Sequence, residues 1–341
     1  MFERRQALAR KHPFFQHAEW QAWVAYRGAT PVGRISAQVD ALHQEHHGDE
    51  SGYFGMLEAI DDDGVFATLF SAAEQWLIAR GMRRAVGPFS LGINQEIGLL
   101  VEGFETPPYF LMGHARRYYG PRVESQGYRQ AKDLLAYEII PAFPISRLMS
   151  RLMERMHAQG IVVRTLNRKR ISDELETLRV IFNDAWSDNW GFVPFTYEEF
   201  QAVGKELTLL LPGDFIQIAE VDGEPAAFMV MLPNLNEAIR DLDGRLAPFG
   251  WVKLLWRLFV RFPSTARIPL MGVRKQYQNT RLGPGLAFMV IHAMREPALR
   301  KGVKLVEMSW ILEDNAGMRN IIESIGGRVS KRYRMYEKHL A

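Results

Sequence analysis

ESQGYRQAKDLLAYE, residues 124–138, returns as ESIGGRVSKRYRMYE, residues 323–337. Seven of the fifteen positions are identical, at fixed offsets and without a gap. A phrase written twice marks an internal repeat. Working outward, each copy follows the same run of elements. Val24–Ala41 holds two apolar runs about Gly28-Ala29-Thr30-Pro31, and Phe215–Leu232 two runs about Asp222-Gly223. Both read as β-hairpins. A strand, a helix and a strand come next, at 55–60, 65–80 and 85–88 in the first half. The second half has them at 267–273, 286–301 and 304–312. Each half then closes with a short helix, a glycine and a final strand, which is the repeated phrase. Ile139–Ser146, with two prolines, reads as the boundary. The chain is thus expected to be α/β with mixed sheets, in two domains, 1–140 and 141–341.

The 341 residues are 47% apolar and 24% charged, within the globular range. There is no cysteine, which excludes disulfides, thiolate metal sites and cysteine nucleophiles. The net charge of +3 gives no case for nucleic acid. Residues 1–16 carry charges without an apolar core, so no signal peptide is read, and no run of about 18 apolar residues exists to span a membrane. A cytoplasmic protein is expected.

The second half carries phosphate-loop chemistry. In Met271–Met294 an apolar strand ending Gly272-Val273-Arg274 leads to Arg281-Leu282-Gly283, and then Gly285-Leu286 opens a helix. Free N–H groups of a first helical turn and the helix dipole favour an anion there, and glycines allow close approach. Arg274, Lys275 and Arg281 add cations. The same letters also fit a tight turn before a core helix.

From Arg164 to Glu337 the chain resembles the GNAT acyltransferases, which use acyl-CoA. The resemblance implies that the Gly283/Gly285 loop binds the CoA pyrophosphate. Asn315, Met318, Ile321, Gly326 and Gly327 match the family's closing helix, which lies beside the pantetheine arm. It implies a CoA site of Gly272, Val273, Arg274, Arg281, Leu282, Gly283, Gly285, Leu286 and Asn315, with acyl-CoA as co-substrate and no metal. Three positions depart from the family. Thr280 stands where Arg or Gln is common, Ile322 where a tyrosine acid is common, and Trp310 where a glutamate base sometimes sits. In the first half, Asp61, Asp62 and Asp63 precede the helix and would repel a pyrophosphate. Only the second copy is expected to hold the donor. The long insert at 87–119 is expected to shape the acceptor site.

Transfer to an amine needs an oxyanion donor and a proton acceptor. A backbone N–H near Val273 fits the first role. Glu313, Glu307, Asp314 and Asp188 are candidates for the second, with Glu313 favoured at the end of its strand. Tyr333 or Tyr336 is a candidate acid. The aromatic stretch 183–200, with Trp186, Asp188, Trp190, Phe192 and Phe195, reads as an acceptor wall or as core. Phe249–Phe262 reads as a helix with Lys253, Arg257 and Arg261 in one stripe and Trp251 and Trp256 beside it. It is too short to span a bilayer and suits an anionic membrane surface, peripheral on the inner membrane. A buried helix with snorkelling cations is the alternative.

These parts imply N-acylation of a lipid amine. The tandem arrangement, with GVRKQYQNTRLG (272–283) and SWILEDN (309–315), is similar to the bacterial ceramide synthases. That resemblance implies transfer of a long-chain acyl group to sphinganine or 3-oxosphinganine in a ternary complex. Acetylation of a soluble amine or protein amine, and an inactive binding module, stay open. The histidines of Leu42–Glu50 match no closed metal site and read as a solvated polar connection.

Overall fold

The computed structural model describes residues 9–209, 211–245 and 247–341. The stretch read for a signal peptide begins in residues 1–8, outside the described residues. The first half forms β1 (Ala18–Arg27), β2 (Thr30–Asp40), α1 (Ala41–His47), β3 (Ser51–Ala59) and α2 (Asp63–Ile78). It continues through β4 (Arg84–Gly87), β5 (Leu99–Glu102), α3 (Tyr119–Glu124) and β6 (Arg129–Ile139). The second half opens with α4 (Arg147–Ala158), β7 (Val162–Thr165), α5 (Ile171–Ala185), α6 (Tyr197–Thr208), β8 (Ile216–Val221) and β9 (Glu224–Pro233). Then come α7 (Leu235–Ile239), α8 (Gly250–Phe259), β10 (Thr265–Val273), α9 (Lys275–Gln278) and α10 (Leu282–Arg300). The chain closes with β11 (Leu305–Leu312), α11 (Ala316–Ser324) and β12 (Arg328–His339).

Local chemistry accounts for the pieces. Asp222 and Gly223 both have positive φ, 53° and 82°, the conformation a two-residue hairpin turn needs between β8 and β9. β9 alternates from Ala227 onward. Ala227, Met229 and Met231 enter the core beneath α4 and α10, while Phe228, Val230 and Leu232 enter the core beneath α5 and α6. Thr196 and Glu199 form a reciprocal capping box at the start of α6.

The two halves share one sheet. Its order is β1-β2-β3-β4-β12-β6-β11-β10-β9-β8-β7, with β5 against β12. The closing strands are exchanged: β12 pairs with β4 of the first half, and β6 with β11 of the second. β6 and β12 lie antiparallel between them, from Arg328↔Glu138 to Glu337↔Arg129. This explains the repeated phrase. Tyr336 donates to Glu124 at 3.2 Å, and Tyr137 donates to Glu323 at 2.8 Å. Each copy's tyrosine bonds the other copy's glutamate, so the same letters serve a near-symmetric pair of contacts.

Some boundaries differ from the sequence reading. α10 starts at Leu282, four residues before the expected 286, because Pro284 fits a first turn where no N–H is needed. α8 covers ten residues rather than fourteen, ending as Val260 and Arg261 both turn their N–H groups to the Trp256 carbonyl. The polar connection after β2 is the helix α1, capped by Asp40.

Candidate active site

β10 and β11 run parallel from Thr265↔Leu305 to Ile268↔Met308 and then part, while β10 stays paired with β9 to Val273. The gap opens a cavity of about 740 Å³. Gly272 and Val273 wall it on one side, and Ser309 and Trp310 on the other. Gly283 and Ala287 of α10 close one end, with Asn315 and Ile321 of α11 beside them. Trp186, Trp190 and Phe192 form the opposite wall. Ile93, Asn94 and Ile97, from the insert after β4, complete it, so the first half helps to shape this site.

The open edge of β10 supplies a donor. The Arg274 N–H bonds Ala226 on β9. Strand alternation then turns Gly272 the same way, and Met271 and Val273 toward the gap. In agreement, the Met271 carbonyl accepts from Trp186 Nε1 at 3.1 Å and the Val273 carbonyl from Gln278 at 2.8 Å. The Val273 N–H therefore faces the cavity, as an oxyanion donor must.

The start of α10 fits a CoA phosphate. A Cβ at Gly283 would come 2.6 Å from the Tyr277 carbonyl and 2.7 Å from that of Gln278, so only glycine allows this loop. Thr280, in place of the family's Arg or Gln, accepts from the Leu282 N–H and donates to the Tyr277 carbonyl. Arg274 Nε is buried without a hydrogen-bond partner among the described residues, and Arg281 is exposed at the helix start. Gly285 and Leu286 face elsewhere. A Cβ at Gly285 would meet Met156 Sδ of α4 at 2.6 Å, and Leu286 is fully buried in the core. Asn315 caps α11 by accepting from Met318. Gly283→Ala is therefore expected to weaken CoA binding by about tenfold or more, by forcing the loop backbone apart. Gly285→Ala should change it less than about threefold, because Met156 is a flexible side chain that can give. Calorimetry with CoA checks both.

The carboxylates separate. Glu313 does not line the cavity; its carboxylate accepts from the Asp133 N–H at 3.1 Å. Asp314 pairs with Lys132 at 2.7 Å, and Asp188 is exposed and pairs with Lys275 at 2.6 Å. Glu307 lies fully buried behind the cavity wall. Its Oε1 accepts from Ser309 Oγ at 2.7 Å, and Ser309 accepts from Arg267 Nε at 2.9 Å. Arg267 is buried too, and also donates to the Phe110 and Leu111 carbonyls of the insert. Burial pushes the Glu307 carboxyl up to about 7, against the pull of Arg267 3.8 Å away. Burial lowers Arg267 to about 10. In both groups the loss of water outweighs the mutual attraction. Tyr333 is buried beside them, its hydroxyl without a partner among the described residues; burial raises its pKa, as does the charge of Glu307. Tyr336 is held by Glu124. Sequence reasoning passed over Ser309 and Arg267. The available signal was an arginine inside an apolar strand, TARIPLMGV.

Phe195 belongs to the core with Phe182 and Phe200 and does not line the cavity. The histidine segment is not solvated throughout. His43 is buried and bonds Asp49 at 2.9 Å, and His47 bonds the Phe192 carbonyl at 2.7 Å, docking α1 on the aromatic wall. Among the described residues no three His, Asp or Glu gather into a group that could hold a metal. No described helix is long and apolar enough to cross a membrane. On α8, Lys253 pairs with Asp241 at 2.5 Å, and Arg257 bonds both Asp241 and the Ala238 carbonyl. These two cations thus turn toward the end of α7, while Arg261 lies beyond the end of α8 and is exposed. Trp251, Leu255, Trp256 and Phe259 are exposed, from 42% to 56%.

No family model matches the chain. It is 50% identical to a bacterial ceramide synthase of Caulobacter vibrioides over 340 residues, covering 99% of this chain and 88% of that one. It is also 50% identical to Protein YghO of Escherichia coli over 339 residues, covering 99% and 87%. Among solved structures, a tandem GNAT protein from the clavulanic acid biosynthesis pathway aligns over 97% of this chain and 85% of its own, at 12% identity and a TM-score of 0.53. A GCN5-related N-acetyltransferase from Sphaerobacter thermophilus aligns over 94% and 81%, at 14% identity and 0.51. With the splayed strands, the glycine loop and the duplicated fold, these likenesses place the chain in the bacterial ceramide synthase family, as an N-acyltransferase with a tandem GNAT fold.

Proposed function

We propose that the chain transfers a long-chain acyl group from acyl-CoA to the amine of a sphingoid base, sphinganine or 3-oxosphinganine, by direct attack in a ternary complex. The identity to the Caulobacter ceramide synthase over nearly the whole chain carries this reading. The apolar and aromatic walls of the cavity support a lipid acceptor. In this mechanism the thioester carbonyl rests against the Val273 N–H. The attacking amine gives its proton to Ser309 Oγ, whose own proton passes to Glu307. The tetrahedral adduct collapses, and CoA leaves as a thiolate. A free thiol has a pKa of about 8.5, so departure needs little help from an acid. That suits the apolar Ile322 at the family's tyrosine position.

The test is free-thiol release from palmitoyl-CoA and from acetyl-CoA, with sphinganine or 3-oxosphinganine, and product mass. Amine-dependent release with palmitoyl-CoA and a product one acyl group heavier is expected. Release with acetyl-CoA and a soluble amine alone would replace this reading with the acetyltransferase.

The acceptor's chain points to a membrane source, and the exposed apolar face of α8 supports a resting place there. Asp241 offsets one of the two charges on Lys253 and Arg257, and Arg261 is exposed, so insertion of apolar side chains and attraction to anionic lipid are both expected to contribute. Replacing Trp251, Trp256 and Phe259 by Ser should reduce vesicle binding at least about tenfold, since each buried apolar side chain contributes roughly 1.5–3 kcal/mol. Raised salt should weaken binding to anionic vesicles and leave the apolar part of the binding. Co-sedimentation with neutral and anionic vesicles checks both, and equal binding by the triple variant would remove α8 from the contact.

A further inference from the structure

Ile268 and Met308 are the last paired residues of the splayed strands, and both wall two spaces. One is the acyl-transfer cavity. The other is a partly open apolar recess of about 30 Å³ between the sheet and α10. The two spaces follow one stripe of α10. Ala287 faces the cavity, and Ile291, Met294 and Ala298 face the recess. Steps of four, seven and eleven residues keep one helix face, and the stripe runs roughly 16 Å along the axis. Met229, Met231, Met294 and Met308 line it, and among the described residues Arg295 is the one charged residue of its lining.

We propose that this recess is the closed form of a tunnel for the distal part of the acyl chain, with Ile268 and Met308 as its gate. The proposal rests on the acyl-CoA reading above and names where a long donor chain goes. A thioester at the Val273 N–H lies in the open splay, and the crotch of that splay is the Ile268–Met308 pair. The wall opposite, formed by Trp186 and Trp190 with Asn94 and Asn189, is polar-aromatic and suits the acceptor head better than a saturated chain. The recess itself has room for about one water. Its lining can give way. Methionine is unbranched, with three rotatable bonds, and refills or vacates irregular space more readily than Leu or Ile. Four methionines at one recess form a wall that an acyl chain can displace and that closes when the chain leaves.

The test uses the native protein and palmitoyl-CoA bearing a diazirine at the terminal carbon, followed by irradiation and peptide mapping. The expected label falls on the peptides containing Met229, Met231 and Met294 and is displaced by excess CoA. Displaceable label on α8 or on Trp186–Phe192 would overturn the tunnel and leave the acyl-CoA site standing. Label that CoA does not displace would overturn both. A second arm compares palmitoyl-CoA with octanoyl-CoA. Met294→Phe, which fills the recess, should lower the palmitoyl-to-octanoyl ratio of kcat/KM at least about tenfold, and Met294→Ala should raise it. An unchanged ratio in both variants would also overturn the tunnel.

Discussion

Glu307→Gln should lower kcat by about 10²–10⁴, the range for loss of a positioned proton acceptor. It should also remove the break near pH 7 from the rate profile. Burial holds the Glu307 carboxyl near 7. Below that pH the group is protonated and cannot take the amine's proton through Ser309. The native rate should therefore rise with pH up to about 7 and then climb only as the free amine becomes more abundant, toward a pKa of roughly 10. The glutamine keeps an acceptor oxygen for Ser309 but binds no proton. Its profile should follow the amine alone. Single-turnover rates from pH 5.5 to 8.5 separate the two limbs, and calorimetry with CoA shows whether the site survives. Activity within threefold of native, with the break retained, would pass the role to another group. Arg267 loses its countercharge in this variant, yet still donates to Ser309 and to the Phe110 and Leu111 carbonyls. Thermal unfolding should accompany the kinetics for that reason.

What the sequence disclosed, and what it hid, follows from how local each signal is. The hairpins were legible because their turns and alternation lie within a few residues. So was the glycine loop before α10. The side each glycine faces was not: Gly285 belongs to the contact with α4, and only the packing of two helices decides that. Glu313 looked better placed than Glu307 because it ends the strand. Its carboxylate is occupied by a backbone N–H of β6, 180 residues earlier in the chain. Arg267 looked like an ordinary strand residue until the carbonyls of the 87–119 insert closed over it. Of the three cations expected in one stripe, Lys253 and Arg257 lie on α8 and meet Asp241, which is outside the helix, while Arg261 falls beyond the end of α8.

Residues 1–140 and 141–341, expressed separately, should each fail to give a stable folded protein, and should recover the native fold when expressed together. The exchange of closing strands is the reason. A cut at 140 takes β6 from its place between β11 and β12 and leaves β4 without β12. Leu134, Leu135 and Ile139 of β6 are each at most 5% exposed. At roughly 1.5–3 kcal/mol per buried side chain, their loss is about 5–9 kcal/mol, comparable with the whole stability of an ordinary domain. The repeat offers an escape, since β12 could move into the vacant place beside β11. Its letters oppose that. In the register of the repeated phrase, Arg334 would fall where Leu135 packs beneath α10, and Arg332 where Asp133 stands. An unpaired arginine in an apolar core costs more than the strand pairing returns. Asp133 is also the partner that holds both Arg332 and Arg334, at 3.1 and 2.9 Å, and it leaves with β6. Circular dichroism and unfolding of each fragment, alone and co-purified, decide the matter. A cooperative melt of 141–341 alone, with CoA binding intact, would mean that β12 can replace β6 and that the exchange is one of two accessible pairings.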